Sequence, residues 1–77
     1  MATIDKLLEG VTDMNFVRTK LMKDLVNKYG LAGAYESWEK FYQEKQSYRN
    51  VTENYNELMI EKFKEVYQNV CDKLDKL

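Results

Sequence analysis

Histidine and proline are both absent from the chain, and cysteine occurs once. Without histidine, the side chain that most often works as a general base near neutral pH is missing. The ordinary activator of a serine or cysteine nucleophile is missing with it, and so is the Cys/His cluster of a structural zinc site. The single Cys71 cannot close an intrachain disulfide and reads as a reduced thiol of a cytosolic-type environment. The lack of proline leaves glycine, polar caps and loss of apolar period as the only helix stops. Glycine itself is scarce, at Gly10, Gly30 and Gly33. No stretch approaches the ~20 apolar residues of a membrane span. The opening residues MATIDKLLEG show no basic region followed by an apolar core, so no signal peptide is expected and the chain is expected in the cytoplasm.

Charge of one sign is lacking too. The net charge is −1, with both signs mixed along the chain. A protein held to nucleic acid mainly by phosphate contacts would show a basic face, and a DNA mimic would need a strong negative surplus. What the chain does have is apolar and aromatic content. Hydrophobic residues make up 44%, including one Trp, six Tyr and three Phe, which argues against disorder. At 77 residues the chain is expected to be one domain, 1–77. A domain this small usually needs a disulfide, a metal, unusually good helix packing or oligomerisation. The first two are excluded by composition.

Apolar periodicity predicts an all-α fold, a small antiparallel helical bundle with a short leading helix and three amphipathic helices. Thr3 is placed to cap the short helix, Ile4, Leu7 and Leu8 share one face, and Gly10 ends it. Thr12 is placed to cap the second helix, whose stripe is Met14, Val17, Leu21, Leu25 and Tyr29, with Phe16 pointing away and Gly30 as stop. Leu31-Ala32 then reads as a connector and Gly33 as the next cap. In the third helix Ala34, Tyr35, Trp38, Phe41, Tyr42 and Tyr48 share a face. Most of Tyr35, Trp38, Phe41, Tyr42 and Phe63 are expected in the core, with Trp38 largely buried against Leu21, Leu25, Phe63 or Val66. Asn50 or Thr52 is placed to cap a last helix of ~25 residues, ~37 Å long, with a stripe of Met59, Phe63, Val66, Val70 and Leu77. That length, set against a shorter second helix, predicts either cover by the first helix or a homo-oligomer formed through the last one.

The constellations that could carry chemistry are few. Glu57, Glu61 and Glu65 recur at four-residue spacing, but lysines interleave them, as on a solvated, self-paired helix face. No phosphate-cradling glycine loop exists. No enzymatic activity, cofactor or metal is expected. Leu25 to Phe41 has the outline of a helix-turn-helix, yet Glu36 and Glu39 stand where base- and phosphate-facing residues should be neutral or basic, so nucleic-acid binding is a weak alternative. The residues most suggestive of a binding site are Lys45, Tyr48, Arg49 and Tyr55, at the corner between the last two helices. Arg49 is one of only two arginines, and tyrosine and arginine are characteristic of binding surfaces. The Lys-, Asn- and Tyr-rich, Arg-poor usage is similar to that of proteins from AT-rich bacterial genomes and their phages. The expected function is therefore a small cytosolic regulator or inhibitor, of phage or mobile-element type, that binds a larger protein. The alternative is a helical oligomer holding a nucleotide-like ligand.

Overall fold

Asp13 opens the first long helix. Its carboxylate accepts the backbone N–H groups of Asn15 at 2.8 Å and Phe16 at 3.3 Å, satisfying two of the donors that a helix start leaves unpaired. The predicted cap, Thr12, stands one residue too early. The computed structural model describes residues 4–76, the side chain of Asp5 excepted. Thr3, expected as a cap, and Leu77, expected in the last stripe, lie outside the described residues. Within them the chain is all-helical: a single turn α1 (Ile4–Leu7), then α2 (Met14–Tyr29), α3 (Leu31–Ser47) and α4 (Tyr55–Asp75). Gly10, with φ of 78°, follows the first turn, and Leu8 is buried beneath it.

Gly30 alone joins α2 to α3. Its φ of 68° and ψ of −151° belong to a region that is essentially restricted to glycine, and its N–H closes α2 on the Val26 carbonyl at 2.7 Å. The expected Leu31-Ala32 connector is therefore the first turn of α3, and Gly33 is an interior residue rather than a cap. Gly33 is buried against α2: a Cβ there would stand 2.6 Å from the Leu25 carbonyl oxygen. Neither Asn50 nor Thr52 caps α4. Asn54 precedes it in the left-handed conformation, with φ of 56° and no side-chain cap bond.

The three long helices all contact one another. Lys45 of α3 reaches Asn15 of α2, Nζ to Oδ1 3.0 Å, so the end of α3 lies beside the start of α2. Lys73 near the end of α4 meets Glu36 near the start of α3 at 3.0 Å. Tyr29 and Asp75, at the ends of α2 and α4, meet at 2.6 Å. The core between the helices is Val17, Leu21 and Leu25 of α2, Phe41 of α3, and Met59, Phe63, Val66 and Val70 of α4. Phe41 and Phe63 meet edge to face, with centroids 5.3 Å apart and planes at 88°, the geometry that aromatic quadrupoles favour. No buried side-chain polar atom among the described residues lacks a hydrogen bond. The Cα radius of gyration is 12.2 Å, close to the about 11.5 Å of a compact chain of this length.

The orientation of α3 corrects the predicted core. Its buried line is Gly33, Ser37 and Phe41, spaced by four residues, and not the aromatic stripe. Ser37 is fully buried, its hydroxyl donating to the Ala34 carbonyl at 3.3 Å. Two small residues in succession let the backbones of α3 and α2 approach closely, and a ring at either position would hold them apart. Trp38, expected to be largely buried, is 57% exposed. Of the five rings expected in the core, Phe41 and Phe63 are there.

Candidate interaction surface

Turning the small residues of α3 inward turns its large ones out. Leu31 is 71% exposed, Tyr35 78%, Trp38 57% and Tyr42 52%. Their spacing of four, three and four residues places them in one line along the helix. Beside this line, on α2, run Arg18, Met22 and Val26 at four-residue spacing, half-buried or exposed. The Arg18 guanidinium carbon lies 5.8 Å from the centroid of the Trp38 ring, within the range of a cation–π contact. Met22, Ala34, Tyr35, Trp38 and Glu39 line a shallow depression of about 390 Å³. Monomeric proteins rarely leave contiguous apolar surface of this kind unless it meets something.

Of the residues expected at the corner, Lys45 is half-buried and continues the exposed line of α3 one turn beyond Tyr42. Its ammonium donates to a neutral amide oxygen, that of Asn15. Arg49 is exposed and lies in the turn after α3, beyond the end of the helical register. Tyr48 and Tyr55 are half-buried and pack against the core. The corner thus divides into Lys45 at the end of the aromatic line, Arg49 exposed in the following turn, and two tyrosines packed against the core. Sequence reasoning missed Arg18, Met22 and Leu31. Their signal was present in the 31-35-38-42 and 18-22-26 spacings, but it becomes legible only once α3 is known to start directly after Gly30.

The remaining polar contacts tie helices together. Tyr67 of α4 is buried and donates to Asp24 of α2, and Lys28 donates to the Tyr67 oxygen at 2.9 Å while lying 3.1 Å from the Asp24 carboxylate. Burial, reinforced by the Asp24 hydrogen bond, pushes the Tyr67 hydroxyl up to about 12. Lys28 is raised by its hydrogen bonds to Tyr67 and Asp24, and Tyr29 by its bond to Asp75. Cys71 is a buried free thiol, and no group of three or more potential metal ligands occurs among the described residues. No described helix is long and apolar enough to cross a membrane. The outward face of α4 is polar apart from Leu58, its one exposed large apolar side chain among the described residues.

The chain matches no protein-family model, no curated protein and no solved structure.

Proposed function

We propose that this protein is a non-enzymatic binding module whose work is to hold a larger protein, as a regulator or inhibitor would. One observation carries the reading: a tryptophan, two tyrosines and a leucine are displayed in line on α3, while glycine and serine hold two of the three buried positions of the same helix and Phe41 is its only buried ring. Large rings held on a rigid helix contribute contact area at low entropic cost, and Trp, Tyr and Arg are the residues that dominate binding energy at protein interfaces. The surface runs from Leu31 through Trp38 and Tyr42 to Lys45, with Arg18 alongside and Arg49 in the turn beyond. Tyr48 and Tyr55 belong to the same corner as supports rather than contacts. Among the described residues α4 exposes one large apolar side chain, Leu58, so the α2–α3 face is the better contact surface. The test is capture from a lysate of the cells that make the protein. Trp38→Ala with Tyr42→Ala is expected to abolish capture while leaving the melting temperature within a few degrees. Undiminished capture by that variant would remove the aromatic line from the contact surface.

A further inference from the structure

Resting on the reading of the α2–α3 face as the contact surface, we infer that this face is self-complementary and pairs with a second copy of the chain about a two-fold axis running along α3. Shape is the first argument. Tyr35, 78% exposed, stands as a ridge between two depressions. One, of about 390 Å³, is shared with α2 and is lined by Met22, Ala34 and Trp38 as well as by Tyr35 and Glu39. The other, of about 330 Å³, is lined by α3 residues alone, Tyr35, Glu36, Glu39, Lys40 and Gln43. It lies on the flank toward α4, whose Lys73 meets Glu36. A ridge with a groove beside it can pack against its own copy, each Tyr35 entering the depression that the other copy forms between α2 and α3. The area suffices as well. The exposed parts of Tyr35, Trp38 and Tyr42 amount to about 300–450 Å². With Leu31, Val26 and Met22 added, the face reaches the about 600 Å² per copy at which specific interfaces begin.

Charge is the second argument, and it also fixes the axis. The aromatic line has a cation on its α2 flank and carboxylates on its α4 flank. The Arg18 guanidinium carbon is 5.8 Å from the centroid of the Trp38 ring, so Arg18 stands level with Trp38 along α3. Glu39 is the next residue, about 1.5 Å further along the helix and about 100° around it. Its carboxylate accepts from the Gln43 amide at 3.3 Å, and among the described residues neither it nor Arg18 is neutralised by an ion pair. A two-fold axis along α3 preserves heights and exchanges flanks. Arg18 of each copy is thereby set against Glu39 of the other, twice, while rings meet rings between them. An axis across α3 would keep the flanks and set Arg18 against Arg18. A nucleic acid, or a partner helix charged with one sign, would match one flank and meet like charge on the other. A two-fold interface has to be complementary to itself, and a face with opposite charges on its two flanks meets that condition. Pairing and the capture of a larger protein then compete for the same rings.

The experiment is sedimentation equilibrium of the full chain from about 1 to 500 μM, since an interface this small is expected to dissociate at micromolar concentration. The wild type should pass from the mass of one chain to that of two across this range, and Trp38→Ala with Tyr42→Ala should remain a monomer. Arg18→Glu and Glu39→Arg each bring like charges together twice per dimer, so either variant alone should raise the dissociation constant by about tenfold or more. An equimolar mixture of the two variants should recover wild-type association, because each copy then supplies the charge that the other lacks. A role of Arg18 or Glu39 confined to the fold of its own chain would give no such recovery. A wild type that is monomeric at the highest concentration would overturn the pairing and leave the contact surface to its own test, capture from a lysate. A dimer that survives Trp38→Ala with Tyr42→Ala would overturn it too, by placing the seam elsewhere. A dimer indifferent to the charge variants, or a mixture no more associated than its components, would overturn the two-fold axis along α3.

Discussion

At the scale of single residues, adjacent positions on α3 have opposite roles. Ser37 is enclosed and Trp38 is out; Phe41 is enclosed and Tyr42 is out. Phe41→Ala should cost about 3–5 kcal/mol, as truncating a buried ring does. Trp38→Ala should cost less than about 1 kcal/mol, the range of surface substitutions. Urea unfolding monitored by circular dichroism measures both, and a Trp38→Ala loss as large as that of Phe41→Ala would place the indole in the core. Gly33 gives a second test with opposing terms. Alanine is the better helix former by about 1 kcal/mol, so propensity alone predicts that Gly33→Ala stabilises. The Leu25 carbonyl oxygen, 2.6 Å from the new Cβ, belongs to the backbone and cannot swing aside. Overpacking of this kind costs about 1–3 kcal/mol, so the net expectation is destabilisation. A variant more stable than wild type would show that α2 and α3 are not in close contact there.

At the scale of elements, periodicity identified α2 and α4 well because their buried lines are built from large apolar residues. Val17, Leu21 and Leu25, and Met59, Phe63, Val66 and Val70, are all enclosed. It failed on α3 because a helix packed closely against its neighbours buries what is small, and Gly33 and Ser37 carry no hydrophobic signal. The exposed line was read as the core for the same reason: both lines repeat at helical spacing, and only size relative to the gap between helices separates them. Boundaries were less legible than faces. Thr12 and Asp13 are both good caps by type, and which one serves depends on the backbone, extended at Asp13 with φ of −88° and ψ of 121°. Asp13→Ala should therefore cost about 0.5–2 kcal/mol, the usual loss for a helix cap, while Thr12→Ala should stay within about 0.5 kcal/mol of wild type. Equal effects of the two in thermal melts would contradict the assignment. The corner residues were only partly legible: Lys45 continues the exposed register of α3, whereas the place of Arg49 and the inward packing of Tyr48 and Tyr55 depend on the path of the turn between α3 and α4.

At the scale of the whole molecule, the donors that fasten α4 to α2 are two tyrosine hydroxyls and a lysine, groups that titrate in alkali, which gives the fold a defined pH dependence there. The Tyr67 hydroxyl is raised from 10.0 to about 12 by burial and by its bond to Asp24. Between those two values the unfolded chain has lost a proton that the folded chain keeps, so stability must fall as pH rises. The contribution is fully present below pH 10 and is lost through pH 12. Keeping one proton across that interval corresponds to about 2–3 kcal/mol, which is the loss expected from this one group. Lys28 and Tyr29, also raised, act in the same direction. For a domain of this length, each 1 kcal/mol moves the melting temperature by about 4–8 °C, so the effect is within easy reach of measurement. Tyr67→Phe removes the titrating hydroxyl and its hydrogen bond to a charged group. Asp24 keeps Lys28 as a partner, so the variant should lose about 1–2 kcal/mol at pH 7 and then decline less steeply than wild type above pH 10. Urea unfolding at pH 7, 9, 10 and 11 on both proteins gives the two slopes. Parallel curves would mean that Tyr67 ionises in the folded state as freely as in the unfolded chain, and that the Asp24–Tyr67–Lys28 cluster does not join the two helices.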